Sequence, residues 1–350
     1  MPTSMQDIAN KANVSTMTVS RVIRGHDSGI ADATRERVLA AARDLDYVSR
    51  RPSPKRRRTQ TYVIGVIPSY RKFEDHPVDM FTYNGMVSAA RENLYDLLWV
   101  LRDEDHWRGL EAESPYPNRD TDGFVFISLV PGEWKGALES LVANGVKAAV
   151  CYRRDVPAGV AWIDPDNAAI ATLALDYLYR NGHRRIAYFA LPNTFTVQRM
   201  AASPTMRSYD DLARERMLCE RANAIGDGVC ITTIDAVTPS FDLVPDVLDQ
   251  LVKHQATAVI AVDMVSIMLL NRLKVAGWAV PGDISVLGID GMPMSETVGL
   301  SSIAFDFRSI GEYAVQAVLD QRRGSSALEA SRVVPVKLIK RRSVGVPISS

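Results

Sequence analysis

Cysteine is scarce in this chain of 350 residues. Cys151, Cys219 and Cys230 are odd in number and never stand in C-x-x-C spacing, which argues against a disulfide framework and a cysteine zinc site. Reduced, structural thiols are the expectation. Long apolar runs are also missing: stretches such as Ala256 to Val262 fall far short of the roughly 20 residues that a membrane span requires. Behind Met1, Pro, Thr and Ser lead into an acidic and basic mixture that lacks the regions of a secretory signal. A cytoplasmic protein with no membrane partner is expected. The five histidines, His26, His76, His106, His183 and His254, never pair at i+4. No G-x-S-x-G elbow or phosphate loop occurs, and Gly226 and Gly228 lack the third glycine of a dinucleotide fingerprint. Neither catalysis, a metal nor a cofactor is expected.

What is present is apolar and unevenly charged. A hydrophobic content of 47% can bury a large core, and the length suggests two or three compact units. The zero net charge hides an asymmetry: residues 1–60 carry twelve basic against six acidic side chains, leaving +6 there and −6 on the rest. A concentrated positive end is the footprint of a polyanion partner, because neutralised phosphates release counterions. A solvated surface face is the alternative.

Residues 5–46 contain three short helical patterns and no strand-like run. The first opens on Asp7, Ile8, Ala9 and Ala12. The second runs from Thr16 to Arg24, and the third from Ala33 to Asp46, with Asp32 as its N-cap and Val38, Leu39, Ala42 and Leu45 at helical spacing. So small a core serves as a platform for one exposed helix. Residues 48–61 then hold SRRPSPKRRRTQ, a basic, proline-containing linker without large apolar side chains. Beyond it, apolar runs at 62–67, 97–101, 123–127, 148–151, 186–190, 230–234, 258–262 and 285–289 alternate with helical patterns at about 83–93, 134–144, 167–181, 209–225, 243–254, 266–277 and 309–324. This alternation predicts doubly wound parallel sheets, with strands enough for two.

The segment MQDIANKANVSTMTVSRVIRG at 5–25 is the most informative. A tight turn between two near-perpendicular helices needs a left-handed residue, a conformation that Asn13 tolerates. Ser15 then supplies an N-cap hydroxyl, the second helix exposes Thr16, Met17 and Arg21, and Val19 and Val22 face inward. The segment resembles the DNA-binding headpiece of the LacI/GalR repressor family, whose pattern includes D-V-A-x-x-A-G-V-S-x-x-T-V-S-R-V. Asp7, Ala9, Ala12, Val14, Ser15, Thr18, Val19, Ser20, Arg21 and Val22 match it, and TRERVLAAARDLDY at 34–47 is similar to the family's third helix. The resemblance implies that Thr16, Met17 and Arg21 read bases while Ser4, Ser15, Thr18 and Ser20 hold phosphates. Physically, Arg21 can donate a bidentate pair to guanine and Met17 can meet a thymine methyl. Arg24 and the linker's Arg50, Arg51, Lys55 and Arg56 complete the candidate DNA-binding set.

The linker departs from the family, where A-R-x-L forms a hinge helix whose leucine wedges into the minor groove. Pro54 would disrupt a helix interior, and Arg56 stands where the leucine is expected. An extended linker that tracks the minor groove or backbone by charge is the expectation.

From about Tyr62 to Ser343 the chain also resembles the family's effector domain and, through it, the periplasmic sugar-binding proteins. YVIGVI at 62–67, TDGFVFIS at 121–128, IDPDNAAIATLALDYLYRNGHRRIAYF at 163–189, VPGDISVLGID at 280–290 and AFDFRSIGEYAV at 304–315 carry the likeness. It implies an all-α helix-turn-helix headpiece, residues 1–47, followed by an α/β two-lobed effector domain, residues 62–343. The N-lobe would span about 62–161 plus 291–322 and the C-lobe about 162–290 plus 323–343. The chain would cross three times between them, with a ligand in the cleft. By this likeness Arg216 and Asp263 are the principal effector contacts; the alternatives are a surface helix charge and a helix N-cap. Tyr152, Phe305, Tyr70, Phe73 and Ser128 complete the candidate effector set, and Arg153, were it to reach the cleft, would favour an anion. The partners implied are double-stranded operator DNA, a sugar or sugar derivative, and a second copy of the chain in a homodimer or tetramer. Repression relieved by an inducer is the regulatory sense expected; corepression and activation stay open. A stand-alone binding protein of the periplasmic type, opposed by the missing signal and the basic headpiece, and a general nucleoid protein using only the basic linker are the other readings; selectivity for one operator over bulk DNA separates them.

Overall fold

The computed structural model describes residues 5–23, 29–45, 60–68, 77–100, 121–127, 135–191, 209–238 and 242–347. The chain divides into two compact units, Met1–Thr59 and Gln60–Ser350. The linker expected at 48–61 therefore lies outside the described residues except for Gln60 and Thr61, as do Ser4, Arg24, Tyr70, Phe73 and Ser128.

The first unit is built from α1 (Met5–Ala12), α2 (Thr16–Ile23) and α3 (Asp32–Asp44). Its core is Ile8, Ala9, Ala12, Val19, Val22, Val38 and Ala41. Asn13 takes φ +52°, the left-handed conformation that the turn between α1 and α2 requires. Ser15 Oγ accepts from the Thr18 amide at 3.1 Å, so the hydroxyl caps α2 as its position suggests. In α3, Asp32 stands inside the first turn rather than before it, and Ala41 takes the buried place expected of Leu39, which is 41% exposed.

The second unit holds two six-stranded sheets. The first comprises β1 (Val63–Ile67), β2 (Asp96–Trp99), β3 (Gly123–Ile127), β4 (Ala148–Cys151), β5 (Ala161–Pro165) and β11 (Arg332–Val334), in the order β11-β5-β4-β3-β1-β2. The second comprises β6 (Arg185–Phe189), β7 (Cys230–Ile234), β8 (Ala258–Val262), β9 (Ser285–Asp290), β10 (Ser301–Phe305) and β12 (Val336–Ile339), in the order β12-β10-β9-β8-β6-β7. Among the described strands only β12 runs antiparallel to its neighbour. The helices are α4 (Pro77–Glu92), α5 (Lys135–Ala143), α6 (Asn167–Arg180), α7 (Tyr209–Ile225), α8 (Val247–Lys253), α9 (Asp263–Val275), α10 (Pro293–Val298), α11 (Phe307–Arg323) and α12 (Ala327–Ala330). Strands β3 and β10 are buried along their whole length, as strands covered on both faces must be.

The lobe boundaries differ from expectation. Residues 301–305, expected in the N-lobe, form β10 and hydrogen-bond to β9 and β12 of the second sheet. Residues 162–165 and 332–334, expected in the C-lobe, belong to the first sheet. The chain thus passes between sheets after β5, after β10 and between β11 and β12, and these passages bring strand ends of both sheets together. The first lobe is tightened where α4 crosses α11. A Cβ on Gly85 would stand 2.0 Å from the Arg308 carbonyl oxygen, and one on Gly311 would stand 1.9 Å from that of Thr82. Only glycine allows backbones to approach so closely.

Candidate functional site

In the first unit, α2 divides its side chains cleanly. Val19 and Val22 are buried in the three-helix core, while Thr16 and Arg21 are exposed and Met17 is 73% exposed. A methionine so far out of a core this small carries no packing role. Ser15 is exposed and Thr18 and Ser20 are half-buried beside this face; Ser15 Oγ and Thr18 Oγ1 lie 2.9 Å apart. An exposed face near a helix N-terminus, with hydroxyls beside it, suits base edges and phosphates.

In the second unit, the C-terminal ends of β4, β5, β9 and β10 meet the starts of α4, α7 and α11. Two aspects of the backbone mark the place. Tyr152, just after β4, has φ +62°, and Asp290, the last residue of β9, has φ +121°. Non-glycine residues held in such conformations cost of order 1–3 kcal/mol each and cluster at functional sites.

One wall is aromatic. Tyr152 and Phe305 are each 8% exposed. The Tyr152 hydroxyl lies 2.5 Å from Thr82 Oγ1, and its ring stands 6.4 Å from that of Phe307. Phe305 packs against Phe307 with ring centroids 4.5 Å apart and planes tilted by 49°, and Phe81 approaches Phe307 at 6.3 Å. Burial drives the Tyr152 phenol well above its ordinary pKa, so it stays protonated.

The other wall is charged. Asp164, at the end of β5, accepts from Arg154 Nε at 2.6 Å and from Asn167 Nδ2 at 3.3 Å. Asn167 Oδ1 in turn accepts from Arg214 Nε at 3.0 Å. Burial pushes the Asp164 carboxyl up, against the pull of Arg154 and Arg214. Burial also pushes Asp210, in the first turn of α7, up to about 8, opposed by Arg214 and reinforced by Asp164. Arg214 itself would be lowered by burial, yet Asp210 and Asp290 hold it above its ordinary value. The arrangement presents fixed hydrogen-bonding groups and one aromatic face, the usual makings of a polyol site.

Two expected effector residues are placed elsewhere. Arg216 lies on the outer face of α7, with 67% of its side chain exposed and only a 3.8 Å approach to Glu220. Two residues along a helix is a rotation of about 200°, so Arg214 and not Arg216 turns inward. Asp263 is fully buried within the C-lobe. Its carboxylate accepts from Ser295 Oγ at 2.6 Å, Ser302 Oγ at 2.6 Å and the Met292 amide at 2.7 Å. It ties α9, α10 and β10 together, and a Cβ on Gly288 would stand 2.0 Å from its Oδ1. With both oxygens engaged, it is a structural knot. Arg153 pairs with Asp155 through a 2.8 Å contact and lies over the Tyr209 ring at 5.3 Å, which answers the charge expected to favour an anion. Cys151 is buried and its thiol is pushed up by burial; Cys219 and Cys230 are free thiols as well. Among the described residues no three potential ligands gather to hold a metal, and no helix is long and apolar enough to cross a membrane.

Comparison with known proteins agrees with both units. The profile of bacterial regulatory proteins, lacI family, matches residues 4–50, and that of the periplasmic binding protein-like domain matches residues 175–344. The chain thus joins a helix-turn-helix domain of the lacI family to a periplasmic binding protein-like domain. Similar proteins include the uncharacterized HTH-type transcriptional regulator YkvZ of Bacillus subtilis, 26% identical over 97% of this chain and 99% of that protein. The HTH-type transcriptional regulator MalR of Streptomyces coelicolor is 25% identical over 98% and 97%, and the HTH-type transcriptional repressor CytR of Escherichia coli is 26% identical over 97% and 96%. Among solved structures, a complex of the transcriptional regulator CelR with cellobiose aligns with a TM-score of 0.65 at 24% identity, covering 97% of this chain and 99% of that one. The lac repressor dimer bound to operator aligns at 0.64 and 21%, covering 99% and 100%. These structural likenesses establish a lacI-type fold. The protein is thus a DNA-binding transcriptional regulator of the helix-turn-helix type.

Proposed function

We propose that this regulator is a repressor that recognises one operator through α2 and whose hold on it is set by a sugar-like effector between the two lobes of the second unit. The observation that carries the reading is the division of α2, with Val19 and Val22 buried and Thr16, Met17 and Arg21 turned to solvent. The second unit supports the regulatory half. Its paired strand ends gather Asp164, Asn167, Asp210, Arg214 and Asp290 opposite an aromatic wall, and structures of the same fold carry cellobiose, glucose, sucrose or ribose. Two copies pair to set two α2 helices on a roughly palindromic site with half-sites about one DNA turn apart. An effector that binds one arrangement of the lobes better than the other changes operator affinity by no more than that difference in binding. Arg21, Met17 and Thr16 read the bases, and Ser15, Thr18 and Ser20 meet the backbone.

Selection of binding sites from a randomised duplex pool with the full chain tests this. Enrichment of one inverted repeat, with half-sites about 10 base pairs apart, is the expected outcome. A pool that stays unenriched while the protein still retains bulk DNA would contradict sequence-specific control.

A further inference from the structure

Sulfur is unevenly sheltered in this chain. Cys151, Met86 and Met292 are buried, and Met5 and Met217 are half-buried. Burial and the carboxylate of Glu215 push the Cys219 thiol up, away from the thiolate that oxidants attack. Met17 is the opposite case. At 73% exposure it is the most exposed methionine among the described residues, ahead of Met294 at 58% and Met80 at 43%. The three-helix core closes on Val19 and Val22 of the same helix and does not use it. Its place on α2 is also particular, because Met17 and Arg21 stand four residues apart and their side chains are neighbours on one face of the helix. The unbranched thioether is soft and apolar, but on gaining an oxygen atom it becomes a polar sulfoxide.

We propose that Met17 is an oxidation-sensitive element of the reading face, and that transfer of one oxygen atom from a peroxide to its sulfur loosens the regulator's hold on its operator. This rests on the reading of α2 as the helix that recognises bases. The sulfur lone pair attacks one peroxide oxygen and the O–O bond breaks. The leaving hydroxide then takes the proton of the sulfur-bound hydroxyl and departs as water. Sulfur is oxidised by two electrons to the sulfoxide, and the peroxide is reduced by the same two. The product cannot meet a thymine methyl as an apolar group, because its S=O bond would lose water there without gaining a donor. It also offers Arg21 an acceptor on the same helix, in competition with the guanine edge. A duplex seated on α2 covers the sulfur, so a bound operator shields it. The change is reversible, since methionine sulfoxide reductases return the thioether.

The full chain and its Met17→Leu variant are treated with hydrogen peroxide, and each is compared with its own untreated form by fluorescence anisotropy on the selected operator and a scrambled duplex. Tandem mass spectrometry follows the gain of one oxygen at Met17, with Met294 as the reference in the second unit. Discrimination by the parent should fall at least about tenfold in step with oxidation of Met17. Methionine sulfoxide reductases A and B together should restore it, and the discrimination of Met17→Leu should stay at its own starting value. Operator present during the treatment should slow oxidation of Met17 relative to Met294. A parent that keeps its discrimination with Met17 fully oxidised, a loss of equal size in Met17→Leu, a loss that the reductases leave in place, or an operator that gives no protection would each overturn the proposal. If Met17→Leu binds too weakly to measure, restoration by the reductases and protection by the operator decide alone. An untreated parent that does not separate the two duplexes removes the base-reading role of α2 and this inference with it, whereas discrimination that survives treatment unchanged removes this inference alone.

Discussion

In α2, Thr16, Met17 and Arg21 stand within one stretch of eight residues and face solvent. In the cleft, Asp164, Asn167, Asp210, Arg214 and Asp290 come from separate parts of the chain and are buried or half-buried. The difference suits the partner proposed for each. A duplex is large and arrives from outside, so a rigid cylinder with one outward face suffices, and its core need only be as large as the seven buried side chains that hold it. A small polar molecule must be taken out of water, so its donors and acceptors have to be preorganised by two lobes around a closed space. The first site is local in sequence, and the second exists only once two sheets are in place.

Three substitutions sharpen that contrast, and the largest effect is expected inside the C-lobe. Asp263→Ala would leave Ser295, Ser302 and the Met292 amide without their acceptor, at a cost of roughly 1–3 kcal/mol for each orphaned group. Urea unfolding should show a loss of at least about 3 kcal/mol; a stable variant that has merely lost effector binding would return Asp263 to the ligand set. Asp122→Ala comes next. Its carboxylate takes the amides of Thr61 and Tyr62 at 2.8 and 3.0 Å and the guanidinium of Arg322 at 3.3 Å, fastening the first residues of the second unit. Burial would raise the Asp122 carboxyl, but the Thr61 and Tyr62 donors outweigh it and hold the group below its ordinary value. Its stabilisation is therefore present above the unfolded carboxylate pKa and lost as pH falls through the lower folded value. Asp122→Ala should cost about 1–3 kcal/mol at pH 7, with the gap to the parent closing in acid; a gap that widens in acid would reverse the assignment. Arg216→Ala should do least, within about 0.5 kcal/mol in stability and without change in effector response, as suits an exposed i,i+4 pair. A lost response there would instead favour Arg216 over Arg214 as the cleft arginine.

The headpiece was legible because its signals are short-range. Asn13 in the turn, Ser15 as a cap and the inward Val19 and Val22 all follow from neighbours a few residues apart. Most sheet strands were legible as well, since Gly123–Ile127, Ala148–Cys151 and Ala258–Val262 are apolar from end to end. Strands β5, β10, β11 and β12 were not. Asp164 and Pro165 close β5, two serines open β10, and β11 has three residues, so none presents an apolar run of ordinary strand length. Their pairing partners lie far along the chain, and the lobe boundaries shifted with them. Arg214 was missed although a local signal marked it. It shares the buried face of α7 with Asp211, Leu218 and Ala222, at i−3, i+4 and i+8, whereas Arg216 falls opposite. The acids that end β5 and β9 could have been noticed as strand-terminal polar groups, but their convergence depends on the crossovers between sheets.

The base-reading role proposed for α2 rests most heavily on Arg21. Fluorescence anisotropy with the selected operator and a scrambled duplex of equal length, at fixed salt, measures it in Arg21→Ala against the parent. A loss of about 1–3 kcal/mol in discrimination between the duplexes is expected, with the unfolding temperature of the second unit unmoved. Discrimination as sharp in the variant as in the parent would contradict it.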